Sequence, residues 1–300
     1  MRQFGFLFIM LLTVASIGCD GDSSTNTSGP VSSEVSIQFQ AVAGDVDISC
    51  DATLTGLGTT AVSASLADFR FFVHDIALID AAGQEIALTL EENDWQSSDI
   101  ALLDFQNKTD SCTGETKDTH TAVTGTVAAN LSDIAGITFK LGIPAELNHS
   151  DQAAAVSPLN ITSMFWTWNA GYKFIRADVA PEGGLTRPDD AEFSGSTFNL
   201  HLGSTGCSGD ATQGEAVECT NKNLTQISFA SFDSTSQAIK LDYADIVKAQ
   251  NLSQDLGGAP GCMSGTTDPE CSSIFTTLGL DLATGAVAAT SASAFTVVDQ

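Results

Sequence analysis

The sequence predicts a mainly β protein: one antiparallel β-sandwich or barrel-like domain with a few short helices, stapled by disulfides. Short segments of alternating apolar and polar residues recur along the chain, separated by turn residues at fairly regular spacing. Six cysteines within the same region supply the material for the staples. No internal repeat or composition break divides residues 34–300, which we therefore expect to form a single domain.

The first predicted strand shows the alternation most simply, since Val35, Ile37 and Phe39 are separated by polar residues. A longer strand is predicted over residues 69–79, before a turn at Ala82 and Gly83. Further strands are expected at residues 85–90, 101–105, 123–128, 138–141, 172–177, 197–202, 226–232 and 295–298.

Two segments show helical signals instead. Ser157 and Pro158 resemble a helix N-cap followed by a first-turn proline, and Gly171 is a typical stop. Residues 241–252 place apolar side chains at helical spacing. We therefore predict helices in both places.

The N-terminus predicts export. Arg2 precedes a short apolar run, and Ser16-Ile17-Gly18-Cys19 resembles a bacterial lipobox. We expect residues 1–18 to be a signal peptide, Cys19 to carry the lipid and residues 19–33 to be a flexible tether. The alternative is an ordinary cleaved signal with an unrelated cysteine. The expected location is the periplasm or the cell surface, with a lipid anchor in a bacterial membrane.

The charge of the chain excludes whole classes of partner. There are 37 acidic side chains against 11 Lys and Arg, a formal net charge of −26. Nucleic acids and anionic membrane surfaces would repel such a protein. Any membrane link must therefore be covalent, through Cys19. With 43% apolar and only 16% charged residues, the chain is nevertheless expected to fold.

The cysteines left after Cys19 are Cys50, Cys112, Cys207, Cys219, Cys262 and Cys271. Six cysteines allow about 15 pairings, and the sequence alone does not choose among them. Short separations favour Cys207–Cys219 and Cys262–Cys271 as local staples, which leaves Cys50–Cys112 as the long closure. The absence of a CxxC pair argues against a zinc ribbon or a thioredoxin-like site.

No common catalytic motif is present: the chain has no GxSxG, HExxH, Walker or GxGxxG sequence. Ser150 beside His149 does not make a hydrolase triad. We therefore expect a protein without enzymatic activity of its own.

The scarce histidines are the residues most able to bind a metal. Neutral imidazole suits copper and zinc outside the cytoplasm. His74 and His201 lie in predicted strands, His149 lies in a predicted turn, and His120 resembles an exposed loop residue. Taken singly, each is more typical of a structural histidine.

The aromatic segment from Met164 to Asn169 contains Trp166 and Trp168, two of the three tryptophans. A bulky core plug is one interpretation of this segment. The other is a copper site that uses the soft sulfur of Met164 and an oxidisable indole.

Several of these segments together resemble the methanobactin-associated periplasmic copper-binding proteins (MbnP-like), also called metallo-mystery-pair proteins with a four-Cys motif. The resemblance spans roughly residues 35–280, and the most specific strings run from Met164 to Arg176 and from His201 to Cys207. The matching segments are residues 68–76, 95–96, 101–105, 141–144, 147–149, 157–160, 164–176 and 201–207. One departure is that six cysteines remain where the family name promises four.

The resemblance implies a β-rich exported protein that binds copper. It also implies a separate partner, a di-haem enzyme related to cytochrome c peroxidases, which oxidises a tryptophan to kynurenine. His74, His149 and His201 lie in matching motifs and are the implied ligands. For the modified residue, Trp168 or Trp166 is favoured over Trp95.

A different class of function stays open. The chain could be a lipid-tethered β-sandwich that binds or adheres to a partner without a metal, its histidines being structural.

Overall fold

The computed structural model of the protein describes residues 31–167, 170–213, 215–289 and 292–300. Residues Val31–Gln300 cluster as one unit. The expected signal peptide, the lipidation residue Cys19 and most of the expected tether lie outside the described residues, and so does Trp168.

Strands account for most of the regular structure in the described residues. In the first half of the chain they are β1 (Ser33–Ala43), β2 (Val46–Asp47), β3 (Thr53–Leu57), β4 (Val62–Asp80), β5 (Glu85–Ala87), β6 (Thr89–Leu90), β7 (Gln96–Ser97), β8 (Ile100–Asp104), β9 (Ala122–Val127) and β10 (Ile134–Leu141). In the second half they are β11 (Phe165–Thr167), β12 (Gly171–Tyr172), β13 (Ile175–Pro181), β14 (Leu185–Arg187), β15 (Asp190–Gly195), β16 (Phe198–Leu202), β17 (Thr205–Ser208), β18 (Glu218–Asn221), β19 (Thr225–Phe229), β20 (Gln237–Asp242), β21 (Gly261–Cys262) and β22 (Phe295–Asp299).

Helices are few and short, as expected. The α-helices are α1 (Tyr243–Val247) and α2 (Cys271–Thr277). Single 3-10 turns occur at Leu131–Asp133, Thr162–Met164 and Ala211–Gln213.

Two open sheets form the sandwich. The smaller one runs β22-β20-β1-β9-β6, with β2 attached to β1. The larger one runs β19-β10-β4-β13-β16-β21, with β3, β5 and β8 also paired to β4 and β7 paired to β8. The pairing is antiparallel except between β1 and β20 and between β16 and β21. The predicted fold class, a mainly β sandwich with short helices, is confirmed.

Aromatic side chains fill the space between the sheets. Phe39 of β1 meets the edges of Phe71 and Phe139 on the larger sheet, with ring centroids 6.0 and 5.6 Å apart. Phe295 of β22 contacts the same two rings. Because every one of these side chains is almost fully buried, the apolar alternation of β1 and β4 is explained by this shared core.

β4 is buried on both faces, so its polar side chains lie in the interior of the protein. Phe69 and Phe71 point into the core between the sheets, where they contact aromatic side chains. Alternation places Arg70, Phe72 and His74 on the opposite face, and all three are also buried. Residues from the loops and from β11 and β12 therefore have to cover this outer face.

Two predicted helices are wrong in whole or in part, and a predicted strand is divided. The expected helix from Ser157 to Gly171 is a series of turns, one 3-10 turn and the strands β11 and β12, because its apolar side chains cover the sheet. The expected helix over residues 241–252 is reduced to α1, since β20 continues to Asp242, whose side chain caps α1 by accepting from Ala244 N. The expected strand at residues 85–90 is split between the two sheets, as β5 and β6.

The disulfides are the two local pairs that short separations favour and the long closure that remains. They link Cys50–Cys112, Cys207–Cys219 and Cys262–Cys271, with sequence separations of 62, 12 and 9. The first and third are buried, whereas both cysteines of Cys207–Cys219 are only partly buried.

Candidate metal centre

A layer of buried charges lies on the outer face of the larger sheet. Arg70 of β4 pairs in register with Arg176 of β13, which in turn pairs with His201 of β16. Two residue pairs further along the same strands, and therefore on the same face, Asp68 is opposite Asp178. Directly paired residues point to the same face, so these five side chains form one continuous polar cluster.

The ion pairs within this layer are specific. Arg70 donates from Nε to Asp68 Oδ1 at 2.7 Å, and Arg176 donates from Nε to Asp178 Oδ2 at 2.8 Å. Arg176 also lies 3.4 Å from Asp68. Buried charges are tolerated where such partners satisfy them. Removing one member of an ion pair leaves the other charge buried without a partner.

His201 is held by this layer through one nitrogen only. Its Nε2 lies 2.8 Å from Asp178 Oδ1, whereas its buried Nδ1 has no hydrogen-bond partner. Burial alone would raise the pKa of Asp178, but the hydrogen bond from His201 and the charge of Arg176 bring it below its usual value. The carboxylate therefore accepts a hydrogen bond from Nε2–H, and in this tautomer the lone pair of Nδ1 is available to a ligand.

Trp166 lies beside this ring. The centroids of Trp166 and His201 are 6.2 Å apart, with an angle of 52° between the planes. Gly203 makes the approach feasible, because a Cβ at this position would stand 2.5 Å from the Trp166 ring. Trp166 is partly buried, with the ammonium of Lys173 located 5.8 Å from its ring centroid.

Lys173 belongs to the cover over the polar layer. Its Nζ donates to Ser163 O at 2.9 Å, and the residue is 8% exposed. Burial, followed by the nearby charge of Arg176, lowers the pKa of Lys173 to about 8. Lys173 therefore gives up its proton more readily than an exposed lysine does.

His74 is the most unusual histidine of the chain. It lies in β4 opposite Lys140 and Ile100, is 1% exposed, and neither ring nitrogen has a hydrogen-bond partner. Burial lowers its pKa to about 4, more than the opposing charge of Asp75 raises it. An imidazole that stays neutral and unpaired in the interior has the chemistry of a metal ligand.

His149 lies at the wall of an open pocket of about 460 Å³, together with Glu146, Ser204 and Cys219. Its Nε2 is 3.2 Å from the Asn148 amide nitrogen and 3.2 Å from Cys219 Sγ. Asn148 in turn bonds to Ser204 Oγ, so the turn that carries His149 is fixed to the end of the strand that carries His201.

His120 and Trp95 form a separate pair. Their rings stack at 5.2 Å, and His120 Nδ1 lies 2.9 Å from Leu102 O. Burial lowers the pKa of His120. His120 is therefore a half-buried structural histidine that bridges to Asp104, and the expectation of an exposed loop residue is wrong, because the ring packs on Trp95.

The three predicted ligands do not meet at a single point. In the described part of the chain, one group of three or more His, Cys, Asp or Glu ligand atoms lies mutually within 4.8 Å, and it consists of His149, Cys207 and Cys219. His201 has Trp166 as its neighbour, and His74 lies further along the same face. Trp168 is outside the described residues.

Sequence reasoning did not identify the charged layer that orients His201. A signal for it exists, because Asp68 and Arg70, and likewise Arg176 and Asp178, interrupt apolar strands at a spacing of two. Charges two residues apart in a strand lie on the same face of the sheet, where they can pair with charges of a neighbouring strand.

Comparison with known proteins identifies the family. The family model described as MbnP matches residues 32–264. The chain belongs to the MbnP family. MbnP from Methylosinus trichosporium has a similar solved structure, with 32% sequence identity and a TM-score of 0.82 over 90% of this chain and 99% of that chain. No curated protein matches the chain. The family resemblance seen in the sequence is thus confirmed.

None of the helices in the described residues is both long and apolar enough to cross a membrane.

Proposed function

We propose that this member of the MbnP family is an exported, methanobactin-associated protein that binds copper at buried histidines and has no turnover of its own. One observation carries the proposal: His201 keeps an unpaired, buried Nδ1 beside Trp166 while Asp178 holds its Nε2. His74, with two unpaired nitrogens, and the half-buried His149 are alternative candidates for the further ligand, because the three rings do not meet at a single point.

The donor set fits copper. Imidazole nitrogens suit copper in either oxidation state, and Cu(I) tolerates few ligands and soft neighbours. The carboxylate of Asp178 fixes the orientation and tautomer of His201, a role that such groups have behind many metal-bound histidines. The acidic surface, with a formal charge of −26, attracts cations from solution without defining the site.

Trp166 is our first choice for the tryptophan that a di-haem, peroxidase-like partner converts to kynurenine. It touches the polar layer and is only partly buried, whereas Trp95 stacks on His120 away from His201. In this conversion, two H₂O₂ are reduced to water while the indole C2–C3 bond is cleaved and two oxygens are added. Hydrolysis then releases C2 as formate and leaves the aniline and ketone of kynurenine.

Copper stoichiometry of histidine variants tests the site. His201→Ala, His74→Ala and His149→Ala are each compared with His120→Ala, whose ring is already satisfied by Leu102 O. We expect loss of copper in the first variant, weaker binding in one of the other two and no change in the control. Unchanged stoichiometry in all three ligand variants would refute the proposal.

The partner and the modification need a separate experiment. After co-expression with a di-haem peroxidase-like protein, we expect the peptide that contains Trp166 to lose one carbon and gain one oxygen, and Trp166→Phe to prevent both the mass change and copper capture. Trp95→Phe is the matched control. Native protein that arrives free of metal and with an intact indole would favour the lipid-tethered adhesion module instead.

A further inference from the structure

The disulfide Cys207–Cys219 differs from the other two in its surroundings. The cysteines of Cys50–Cys112 and Cys262–Cys271 are at most 2% exposed, so reductants in solution cannot reach them without unfolding. Cys207 and Cys219 are partly exposed, and Cys219 lines the open pocket that also holds His149. A small thiol can therefore reach this disulfide in the folded protein.

An imidazole is already in place beside the sulfurs. His149 Nε2 lies 3.2 Å from Cys219 Sγ, and a ligand nitrogen of His149 and the two sulfurs lie within 4.8 Å of one another. While the disulfide exists, its sulfurs are poor metal ligands. As thiolates, they would complete a Cys₂His set, which selects soft or borderline ions such as Cu(I) and Zn²⁺.

The backbone would keep the two cysteines together after reduction. Cys207 and Cys219 are direct partners in the ribbon of β17 and β18, between the pairs Thr205–Asn221 and Ser208–Glu218. A side-chain hydrogen bond from Asn221 to Thr205 Oγ1 adds to this pairing. The positions of the two sulfurs therefore depend on the ribbon as well as on the covalent bond.

We propose that Cys207–Cys219 is a redox-gated metal site: its reduction by a dithiol creates a second centre, His149–Cys207–Cys219, for a soft metal ion. In the reaction, a thiolate of the dithiol attacks one sulfur and the S–S bond breaks. The second thiol of the reductant then resolves the mixed disulfide. Two electrons reach the protein, the dithiol becomes a disulfide, and binding of the metal releases the two thiol protons.

The other groups that line the pocket are compatible with a cation. Glu146, Glu215 and Glu218 supply negative charge, against Lys222 alone. The opening of the pocket leaves room for a water molecule or a delivered ligand as a fourth donor, as in other three-residue metal sites. The centre uses His149, an alternative candidate ligand of the proposed copper site, but does not need His201.

The first arm of the test is access. Graded dithiol reduction of the native protein is followed by alkylation and peptide mass analysis, and we expect Cys207 and Cys219 to be labelled before the four buried cysteines. Earlier labelling of Cys50, Cys112, Cys262 or Cys271 would contradict the proposal that Cys207–Cys219 is the disulfide reduced in the folded protein.

The second arm is metal binding by the selectively reduced protein under anaerobic conditions. We expect one extra equivalent of Zn²⁺, and with Co²⁺ a thiolate-to-metal charge-transfer absorption, neither of which the oxidised protein shows. His149→Ala should weaken this binding by about 10-fold or more, and Cys207→Ser with Cys219→Ser should abolish it. If the double variant does not fold, alkylation of the selectively reduced protein supplies the same block.

Two controls separate this site from the proposed copper centre. His120→Ala should bind the extra equivalent as the unmodified protein does. His201→Ala should lose copper in the oxidised state and keep the thiol-dependent equivalent. No extra metal on reduction, or extra metal that survives loss of both thiols, would overturn the inference.

Discussion

Asp178 Oδ1 lies 2.8 Å from His201 Nε2, and the same carboxylate receives Arg176 Nε on its other oxygen. The two hydrogen bonds fix both the plane of the imidazole and the identity of its protonated nitrogen. Because the donors come from neighbouring strands, the orientation of His201 is determined by the register of β13 and β16.

Asp178→Asn should therefore weaken the proposed copper binding without removing a proposed ligand. An amide has only one acceptor oxygen, so either His201 or Arg176 loses its partner and the ring is no longer fixed. We expect about a 10–100-fold loss of affinity, measured by competition with a Cu(I) chelator. Asp245→Asn, which replaces a half-exposed acid paired with Lys248, is the control. Equal affinities would show that the carboxylate does not orient the ligand.

Gly203→Ala should displace Trp166. The new methyl group would approach the indole to 2.5 Å and the carbonyl of Tyr172 to 2.8 Å, so the ring has to move away from His201. We expect a change in tryptophan fluorescence and, under the proposed function, a reduced yield of kynurenine after exposure to the proposed di-haem partner. Gly83→Ala, where a Cβ meets no neighbour within 4 Å, reports the cost of a strained turn alone. A wild-type yield in Gly203→Ala would argue against Trp166 as the modified residue.

Asp268 should make stability depend on pH. Burial and then Glu270 raise the pKa of Asp268 to about 7, from 3.8 when unfolded. The folded state thus retains a proton that the unfolded state releases. Its stabilising contribution is complete below 3.8 and is lost as the pH rises through about 7. Asp268→Asn stays neutral, so its unfolding free energy should fall less between about pH 5 and about pH 8.

Urea titrations at both pH values measure this difference, with Asp245→Asn as the exposed control. A pH dependence identical to that of the unmodified protein would show that Asp268 ionises normally.

Removal of the long disulfide should cost more than removal of the exposed one. Cys50→Ala with Cys112→Ala opens a closure of 62 residues, for which loop entropy gives about 4 kcal/mol of unfolding free energy. Cys207→Ser with Cys219→Ser opens a closure of 12 residues, for which the same loop entropy gives about 3 kcal/mol of unfolding free energy. Urea unfolding compares the two, and the reverse order would contradict the entropic account.

Phe71 should be among the most costly core side chains to truncate. It is fully buried, stacks on Phe105 and meets Phe39 and Phe295 edge-on, so it joins the two sheets. Phe71→Ala should lower the unfolding free energy by about 3–5 kcal/mol, measured in urea. Val287→Ala, at a residue 56% exposed, should change it by about 0.5 kcal/mol or less. Similar losses in both would mean that the sheets are not held together at Phe71.

The alternation of apolar and polar residues predicted those strands that have one buried face and one more exposed face. β1 was predictable because its core-facing residues alternate with polar ones. The first part of β4 was not, since residues 62–68 are mostly small and carry little apolar contrast. The segment around Met164 was wrongly predicted as a helix because its apolar residues serve as a cover for the sheet, a role that the local pattern does not reveal.

The sequence predicted which residues belong to the candidate site better than it predicted how they are arranged in space. His201 and Trp166 were identified from motifs, and the structure brings their rings together. Their separation in sequence gives no hint of this contact, which depends on the turn from β11 to β12 and on the lack of a side chain at Gly203. The link from His149 to Cys219 likewise arises only from tertiary structure.

The parallel pairing of β1 with β20 determines when the domain can be completed during synthesis. Gln38 aligns with Ala238, and β20 in turn pairs with β22 near the C-terminus. The first half of β1 can pair with β9 early, but the hydrogen bonds of its second half must wait for nearly the whole chain. Contacts between such distant segments slow folding and leave strand edges open to other nascent chains. We expect efficient production of this protein to depend on chaperones that shield β1 until β20 arrives.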